Sequence, residues 1–342
     1  ERISFEDSYL LWNKKSCKMI IENIPELKKI IKISGSAGND RYVIKHQLTK
    51  PKKSNKITIG IGCWGFDHFL DPDRSHLATE EIRNFYIDQR NKFDKILYEL
   101  IKANQDCNFI IKEHPGNTFG YEGSAIESSV DFKNVKIYKN EKSVLSCIEE
   151  SDLWITYDST TALEAWLLNK QTCIINPDKA KWPLPRDHMH TAQPIAGSTD
   201  EIKDFVDSIK IDGKILDFDN FYSKRKKIIN DVIEWNDGLN HVRAGNEIIH
   251  FINSDLQKNK IDSRIKQPSL YIIIKQKLKW FLMNNFSWHN KFSNPNEKHR
   301  IWNQDEVIEL AKNRLKKQKE FYSNNNLDKN GLKEIKPKSW ND

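Results

Sequence analysis

The sequence lacks paired cysteines, a long apolar run and a secretory leader. Its five cysteines are scattered without a C-x-x-C spacing. This excludes a disulfide scaffold and a thiolate zinc site, and it favours a reduced cytosolic protein. No run of about 18 apolar residues occurs, so we expect no membrane span. The chain begins at Glu1 without a methionine, which predicts that further residues precede it.

Positive charge is concentrated in the last quarter of the chain. The net charge is +7 over 342 residues. Residues 255–342 hold 19 Lys/Arg against 10 Asp/Glu, which is +9 and leaves about −2 for the preceding 254 residues. The basic character therefore belongs to the C-terminal tail.

Residues 270–286 of this tail interleave lysines with aliphatic and aromatic side chains. The lysines are Lys275, Lys277 and Lys279. A basic helix carrying aromatic residues suits the plane of an anionic membrane surface. A solvated lysine face is the alternative. Nucleic acid is not expected as a partner, because no recognisable nucleic-acid module accompanies the charge.

Short apolar runs alternate with helical patterns and predict one α/β domain of five or six strands. We predict strands at 31–33, 57–61, 109–111, 135–138, 153–157 and 172–175. We predict helices at 79–103, 144–148, 162–168, 198–209, 222–235 and 242–252. Strand, helix, strand with short connections specifies a parallel sheet, whose ligands bind at the carboxyl ends of the strands.

Two polar motifs follow strands of this predicted sheet. The run at 109–111 ends in Lys112-Glu113-His114-Pro115-Gly116, and the run at 153–157 ends in Asp158-Ser159-Thr160-Thr161. The second motif consists of residue types that begin helices. We expect both motifs at one sheet edge, at the ends of neighbouring strands.

A helix start with free N–H groups, two hydroxyls and an imidazole suits a phosphate. We therefore predict a site for a phosphorylated ligand. The alternatives are a loop histidine that ends a strand, and an ordinary helix cap.

Further candidates follow other strands. Gly62 ends a strand and permits close approach of a ligand to the backbone. Asp67, in an acidic loop with His68, Asp71 and Asp73, is a candidate acid or base, and an exposed acidic loop is the alternative. The irregular stretch 179–198 is predicted to be a functional loop or a loop that wraps the site. Its His188 and His190 lack a third ligand, so no metal site is predicted.

The motifs at 112–116 and 151–177 resemble the C-terminal, nucleotide-binding domain of GT-B glycosyltransferases. The resemblance is closest to bacterial capsule and surface-polysaccharide biosynthesis proteins, which include Kdo transferases that use CMP-sugars. Polyol-phosphate transferases that use CDP-glycerol are similar at the same two places. The likeness spans roughly 31–252. It implies a Rossmann-like parallel sheet with flanking helices, the C-terminal half of a GT-B fold, followed by a basic helical extension.

The resemblance also implies site residues. In such families the His-Pro loop and the Ser/Thr turn contact the donor's phosphates, and a Glu one helical turn later contacts its ribose. These roles fall on His114, on Ser159 with Thr160, and on Glu164. Lys112 and Asp158 belong to the same motifs and are expected to assist. The alternative to the ribose role of Glu164 is an ion pair with Lys170 or with a solvent cation. No cofactor and no metal are expected.

The resemblance divides the chain into three parts: 1–56 as the end of an N-terminal domain and linker, 57–253 as the nucleotide-sugar-binding domain, and 254–342 as a partly disordered basic tail. The passage 35–40 is expected to be flexible and to lead into the second half. Too few residues precede Ile57 to build an acceptor-binding domain. Either the sequence is a fragment, or the acceptor side comes from elsewhere.

The function implied is transfer of a sugar from a nucleotide-activated donor, with CMP-sugars favoured, to a surface polysaccharide or lipid-linked glycan. The alternatives are a CDP-glycerol-type transferase, a nucleotide-sugar 2-epimerase and a non-catalytic nucleotide-binding subunit of an assembly complex. We expect a cytoplasmic protein that is peripheral on the inner face of the membrane.

Overall fold

The computed structural model describes residues 8–49, 56–63, 66, 79–114, 131–139, 141–157, 159–183, 188–253, 316, 320–324 and 338–339. The chain divides into two compact units, one of residues 1–241 with 337–342 and one of residues 242–336. The boundaries expected after residues 56 and 253 stay predictions.

The first unit contains a six-stranded parallel sheet, which confirms the predicted Rossmann-like α/β class. Its strands are β3 (Thr58–Gly62), β4 (Asn108–Lys112), β5 (Val135–Tyr138), β6 (Leu153–Thr156), β7 (Gln171–Ile175) and β8 (Ile195–Ala196). Their order across the sheet is β5-β4-β3-β6-β7-β8. The first strand along the chain, β3, therefore lies in the middle, and the chain adds strands first on one side of it and then on the other. This is the order of a doubly wound sheet.

Helices connect these strands and flank them. They are α1 (Lys14–Asn23), α2 (Asp40–Leu48), α3 (Glu80–Ala103), α4 (Val144–Glu150), α5 (Thr161–Leu167), α6 (Thr199–Asp212), α7 (Tyr222–Ile233) and α8 (Asn240–Asn253). Side-chain oxygens begin several of them. Thr79 accepts from the N–H of Ile82, and Ser198 accepts from the N–H of Glu201, at 3.3 Å each. The helix predicted to start at Ser198 is thus fixed by its cap.

Both faces of the sheet are covered, which gives three layers. Helices α3 and α6 bury Leu97, Leu100 and Ile202 on one face, against strand residues such as Ile59. On the other face, α2, α4, α5 and α7 enclose Trp154 of β6. Because β3, β4 and β6 are covered on both faces, their sequences read as continuous apolar runs.

A second, smaller sheet has three strands. Strands β1 (Tyr9–Leu11) and β2 (Ile31–Ile33) pair in parallel, and β9 (Lys338–Ser339) pairs antiparallel to β2. The passage expected to be flexible, 35–40, instead contains a short 3-10 helix at Ala37–Asn39 and leads directly into α2. The expectation of flexibility was wrong because the buried Ser36 and Asp40 side chains tie this passage to the domain.

Asp40 joins two points of the chain about 200 residues apart. Its Oδ2 accepts from the backbone N–H of His241 at 2.6 Å and lies 2.8 Å from the His241 Nδ1. Its Oδ1 accepts from the Nδ2 of Asn240 at 2.9 Å. Asp40 and Asn240 are both buried. A buried acceptor shared by three donor atoms fixes the return of the chain at residue 240 to the start of α2.

Replacing Asp40 by Ala is expected to lower the free energy of unfolding by about 2–4 kcal/mol, because the change leaves buried donors without an acceptor. The shift of the urea midpoint measures the loss. The control is Asp207→Ala, whose carboxylate is exposed and lies 3.9 Å from the Lys210 ammonium. That change should cost less than about 0.5 kcal/mol. Equal losses for the two variants would contradict the anchoring role of Asp40.

The described part of the second unit consists of residues 242–253 of α8 with positions 316 and 320–324. The tail lysines predicted to meet a membrane lie outside the described residues. Within the described ranges, no helix has the length and apolar character needed to cross a membrane.

Candidate functional site

The carboxyl edge of the sheet brings the two predicted motifs to one side of the molecule. In the strand register, Gly62 at the end of β3 pairs with Lys112 of β4 on one side and with Thr156 of β6 on the other. The strands that carry the motifs were expected to be neighbours. This expectation was wrong, because β3 lies between them. The order reverses between β3 and β6, and ligands of doubly wound sheets bind in the crevice at this point. The turn at residue 159 flanks that crevice directly.

His114 follows β4 two residues after Lys112, and its side chain is exposed. The preceding Glu113 is anchored, since its N–H donates to the Tyr138 carbonyl at 3.0 Å and its carboxylate lies 3.6 Å from the Lys139 ammonium. The exposed imidazole therefore stands on a fixed strand end. Its contact with a ligand stays a prediction.

Lys112 has a structural position at this edge. Its side chain is only 8% exposed. The ammonium donates to the Glu113 carbonyl at 3.1 Å and to the Lys139 carbonyl. These bonds close the ends of β4 and β5 onto each other. Lys112 thus contributes positive charge next to His114 through a side chain that is already engaged.

The turn after β6 is organised by the Ser159 hydroxyl. Ser159 Oγ accepts from the Thr161 N–H at 3.2 Å and from the Thr161 hydroxyl at 3.0 Å. The Ser159 carbonyl accepts from the Ala162 N–H at 3.2 Å. Two of the N–H groups expected to be free for a phosphate therefore already have partners. Because α5 has only seven residues, the side-chain donors of the turn matter more than a helix dipole.

Thr160 is the exposed residue of this turn, and it makes no side-chain cap bond. Its hydroxyl therefore does not serve the start of α5. Nearby, Thr156 ends β6 with a buried Oγ1 that has no hydrogen-bond partner among the described residues. A buried hydroxyl without a partner costs about 1–3 kcal/mol, and such groups occur more often at functional sites than elsewhere.

Gly62 is required by packing at the crevice. A Cβ added there would lie 3.0 Å from Thr161 Oγ1 and 3.0 Å from Cζ2 of the Trp154 indole. The glycine therefore lets Trp154 and the first residue of α5 approach β3. Trp154 is not among the predicted site residues, yet its indole N–H donates to the Thr161 hydroxyl at 3.0 Å.

Glu164 lies one turn into α5, but its neighbours differ from the expected Lys170. Its carboxylate accepts from the Tyr42 hydroxyl, which in turn accepts from Arg41 of α2 at 2.9 Å. Lys170 instead donates to the Glu149 carbonyl at 2.8 Å.

Burial raises the pKa of Glu164, and the Tyr42 hydrogen bond and the Arg41 charge oppose this rise. The other carboxylate oxygen, Oε2, is buried without a hydrogen-bond partner among the described residues. A ribose hydroxyl can reach it only if neighbouring side chains move, so the ribose role stays a prediction.

The predicted wrapping loop contributes aromatic side chains beside β6. The Trp182 ring lies 5.5 Å from the Tyr157 ring and 5.5 Å from the His190 ring. Its indole N–H donates to Asn176 Oδ1 at 2.7 Å, directly after β7. The described part of the loop is therefore pinned to the ends of β6 and β7.

Two predicted site residues, Asp67 and Asp158, lie outside the described residues. Among the residues that the structure does describe, no group of three His, Cys, Asp or Glu side chains is arranged to hold a metal ion. All five cysteines are free, and burial raises the pKa of Cys63 beside Lys112 and Glu113.

An open cavity of about 780 Å³ lies at the opposite, amino edge of the sheet. It is lined by Thr58, Asn108 and Asp152 and by several lysines. Glu149 pairs with Lys45 at 2.9 Å and accepts from Lys170 through its carbonyl. The positive charge of the cavity is thus partly neutralised. Ligands of doubly wound sheets bind at the carboxyl edge, and this cavity lies at the amino edge.

The solved structures that are similar to this chain include the following three. The wall teichoic acid polymerase TagF matches with a TM-score of 0.43 and 17% identity over 74% of this chain and 59% of TagF. S. aureus MnaA, in a structure with UDP, matches with 0.42 and 13% over 72% and 61%. Thermosulfurimonas dismutans KpsC, a β-Kdo 2,4 transferase, matches with 0.27 and 15% over 44% and 46%. The chain thus spans about three fifths of the length of TagF and MnaA.

No protein-family profile matches the chain, and no curated protein matches it. Identities and TM-scores of this size carry no argument about activity. The chemistry of the site is therefore inferred from the residues of the carboxyl edge.

Proposed function

We propose that this chain is the donor-binding half of a GT-B glycosyltransferase. The donor is a nucleotide-activated sugar, with CMP-sugars favoured, and the acceptor is a surface polysaccharide or a lipid-linked glycan. One observation carries the proposal: an exposed imidazole after β4 and a hydroxyl-bearing turn after β6 lie at the carboxyl edge on either side of β3, where the strand order reverses. Donors placed around that crevice suit the phosphate of a nucleotide.

The reaction is direct displacement at the anomeric carbon. An acceptor oxygen forms a bond to this carbon while the bond to the donor's phosphate oxygen breaks, and the electron pair of that bond goes to the phosphate. His114, Ser159 and Thr160 stabilise the negative charge that develops there, and Lys112 adds to the local positive potential. Fixed donors of this kind act without a metal ion.

The acceptor hydroxyl loses its proton to a base. Asp67 is the candidate in this chain, by its place after β3. Glu164 holds the ribose once the donor is bound. The acceptor-binding surface belongs to the first half of a GT-B enzyme.

Binding of nucleotides tests the donor site directly. We expect CMP to bind with a dissociation constant that is at least about tenfold lower than those of CDP and UDP, measured by calorimetric titration. Cytidine without phosphate should bind at least about tenfold more weakly than CMP, since one hydrogen bond to a charged group contributes roughly 1.5–3 kcal/mol. Equal binding of cytidine and CMP would contradict an anion site.

The same panel separates the alternatives. Preference for CDP favours transfer of a polyol phosphate from CDP-glycerol, and preference for UDP favours a 2-epimerase. A nucleotide that binds without any turnover of the matching sugar donor favours a non-catalytic subunit. A chain that binds none of the three nucleotides has no donor site.

We also propose a cytoplasmic location on the inner face of the membrane. The support is the lysine and aromatic pattern of residues 270–286, which suits an anionic lipid surface.

A further inference from the structure

The Trp154 indole packs against β3 at two glycines, where no Cβ occupies the space. A Cβ at Gly60 would lie 2.3 Å from Cε3 of the indole, and one at Gly62 would lie 3.0 Å from Cζ2. Trp154 pairs with Gly60 across the two strands. The indole is fully buried and extends over β3 towards the carboxyl edge. Close packing against β3 and the hydrogen bond to Thr161 hold the ring, and with it the direction of its N–H.

That direction favours one donor order among the hydroxyls beyond it. An indole N–H only donates, and here it donates to Thr161 Oγ1 at 3.0 Å. The Thr161 hydroxyl donates its own proton to Ser159 Oγ at 3.0 Å, and the Thr161 N–H donates to the same oxygen at 3.2 Å. Ser159 Oγ thus accepts twice, and its own proton is available for a further acceptor.

The indole N–H occupies one of the two lone pairs of Thr161 Oγ1, so without the indole this order is less favoured. Two adjacent hydroxyls can donate in either sense, and Ser159 is then able to donate its proton back to Thr161. When Ser159 donates to Thr161, a phosphate oxygen in the crevice faces the Ser159 oxygen and receives no hydrogen bond from it. The donor-only group at the start of the chain of hydroxyls makes this alternative less favourable, because it occupies one of the two lone pairs that could accept the Ser159 proton.

We infer that Trp154 is a positioning residue that makes Ser159 a hydrogen-bond donor to the phosphate of the bound nucleotide. The inference rests on the proposed function, since it requires an anion at the Ser159 turn. Trp154 itself touches no ligand and acts through Thr161 and Ser159.

The protein offers a matched control. Trp166 is a second buried indole, and its N–H donates to the Thr172 hydroxyl at 2.7 Å. Trp166→Phe and Trp154→Phe therefore make the same chemical change, the loss of a buried indole-to-threonine hydrogen bond. Only the change at residue 154 affects the Ser159 turn.

The test is a double-mutant cycle on CMP binding. We expect Trp154→Phe and Ser159→Ala each to weaken binding about five- to tenfold, with the double variant no weaker than Ser159→Ala alone. Trp166→Phe should bind as the parent chain does. Thr161→Ser, which keeps the hydroxyl, should retain binding, and Thr161→Val should lose it. This pair decides the question if Trp154→Phe does not fold.

Two results would overturn the inference. One is a Trp154→Phe variant that binds CMP as tightly as Trp166→Phe while Ser159→Ala is weakened, which leaves the proposed function in place. The other is a loss at Trp154 that adds in full to the loss at Ser159. If the parent chain binds neither CMP, CDP nor UDP, the proposed function fails, and the inference fails with it.

Discussion

Replacing His114 by Ala is expected to reduce turnover by about 10²–10³-fold while the chain stays folded. The imidazole is exposed at a strand end, so its loss removes a donor to the leaving phosphate without opening the core. The release of CMP, CDP or UDP from the matching sugar donor, with acceptor present, measures turnover. Urea unfolding should show a change of less than about 0.5 kcal/mol in the free energy of unfolding.

His46→Ala is the matched control for this prediction. His46 is an exposed imidazole in the last turn of α2, and it lines the cavity at the opposite edge of the sheet. We expect its replacement to leave turnover unchanged. A His114→Ala variant that keeps near-normal turnover removes His114 from the mechanism.

Replacing Gly60 by Ala is expected to cause a large loss of stability, about 3 kcal/mol or more. The added Cβ would lie 2.2 Å from Ser151 Oγ and 2.3 Å from Trp154 Cε3, and both are fully buried. Neither side chain has room to withdraw, because β3 is the central strand of the sheet. Since the free energy of unfolding of a domain is roughly 5–15 kcal/mol, this variant loses a large fraction of its stability. Urea unfolding measures the loss.

Gly38→Ala provides the comparison within the same unit. No atom lies within 4 Å of the position that its Cβ would occupy. The change should alter the unfolding free energy by less than about 0.5 kcal/mol. If Gly60→Ala unfolds at the same urea midpoint as Gly38→Ala, the Trp154 indole does not pack closely against Gly60.

The parallel sheet could be predicted because its strands are short apolar runs between helical patterns. Their position within the sheet could not. The run at 109–111 precedes that at 153–157, with one short strand between them in the chain, which favours neighbours. In the structure β3 lies between β4 and β6, because the chain returns across its first strand before it adds β6. Nothing in the local residue pattern encodes this crossover.

The site residues divide in the same way. His114 and the Ser159 turn were found because polar motifs follow apolar strands. Trp154 was missed, since an apolar residue within a strand reads as core. The signal was the spacing Gly60-x-Gly62, two glycines on one face of a central strand, which indicates close approach by a large neighbour. Helix α2 was missed because Gly35, Gly38 and Asn39 before it are typical of loops.

Glu164 shows the limit of spacing arguments. An ion pair with Lys170 fits the sequence separation, but α5 ends before Lys170 and Asn169 adopts a left-handed backbone with φ of 55°. The lysine is thereby turned towards Glu149. The actual partner, Tyr42, lies on a helix more than 100 residues earlier, so only the folded structure brings the two together.

A crystal structure of the chain with CMP tests the central claim most directly, that an anion binds at the carboxyl edge where the strand order reverses. We predict a phosphate within about 3 Å of Ser159 Oγ and of the His114 imidazole. A phosphate bound in the cavity at the amino edge, near Lys133 and Lys136, would contradict that claim.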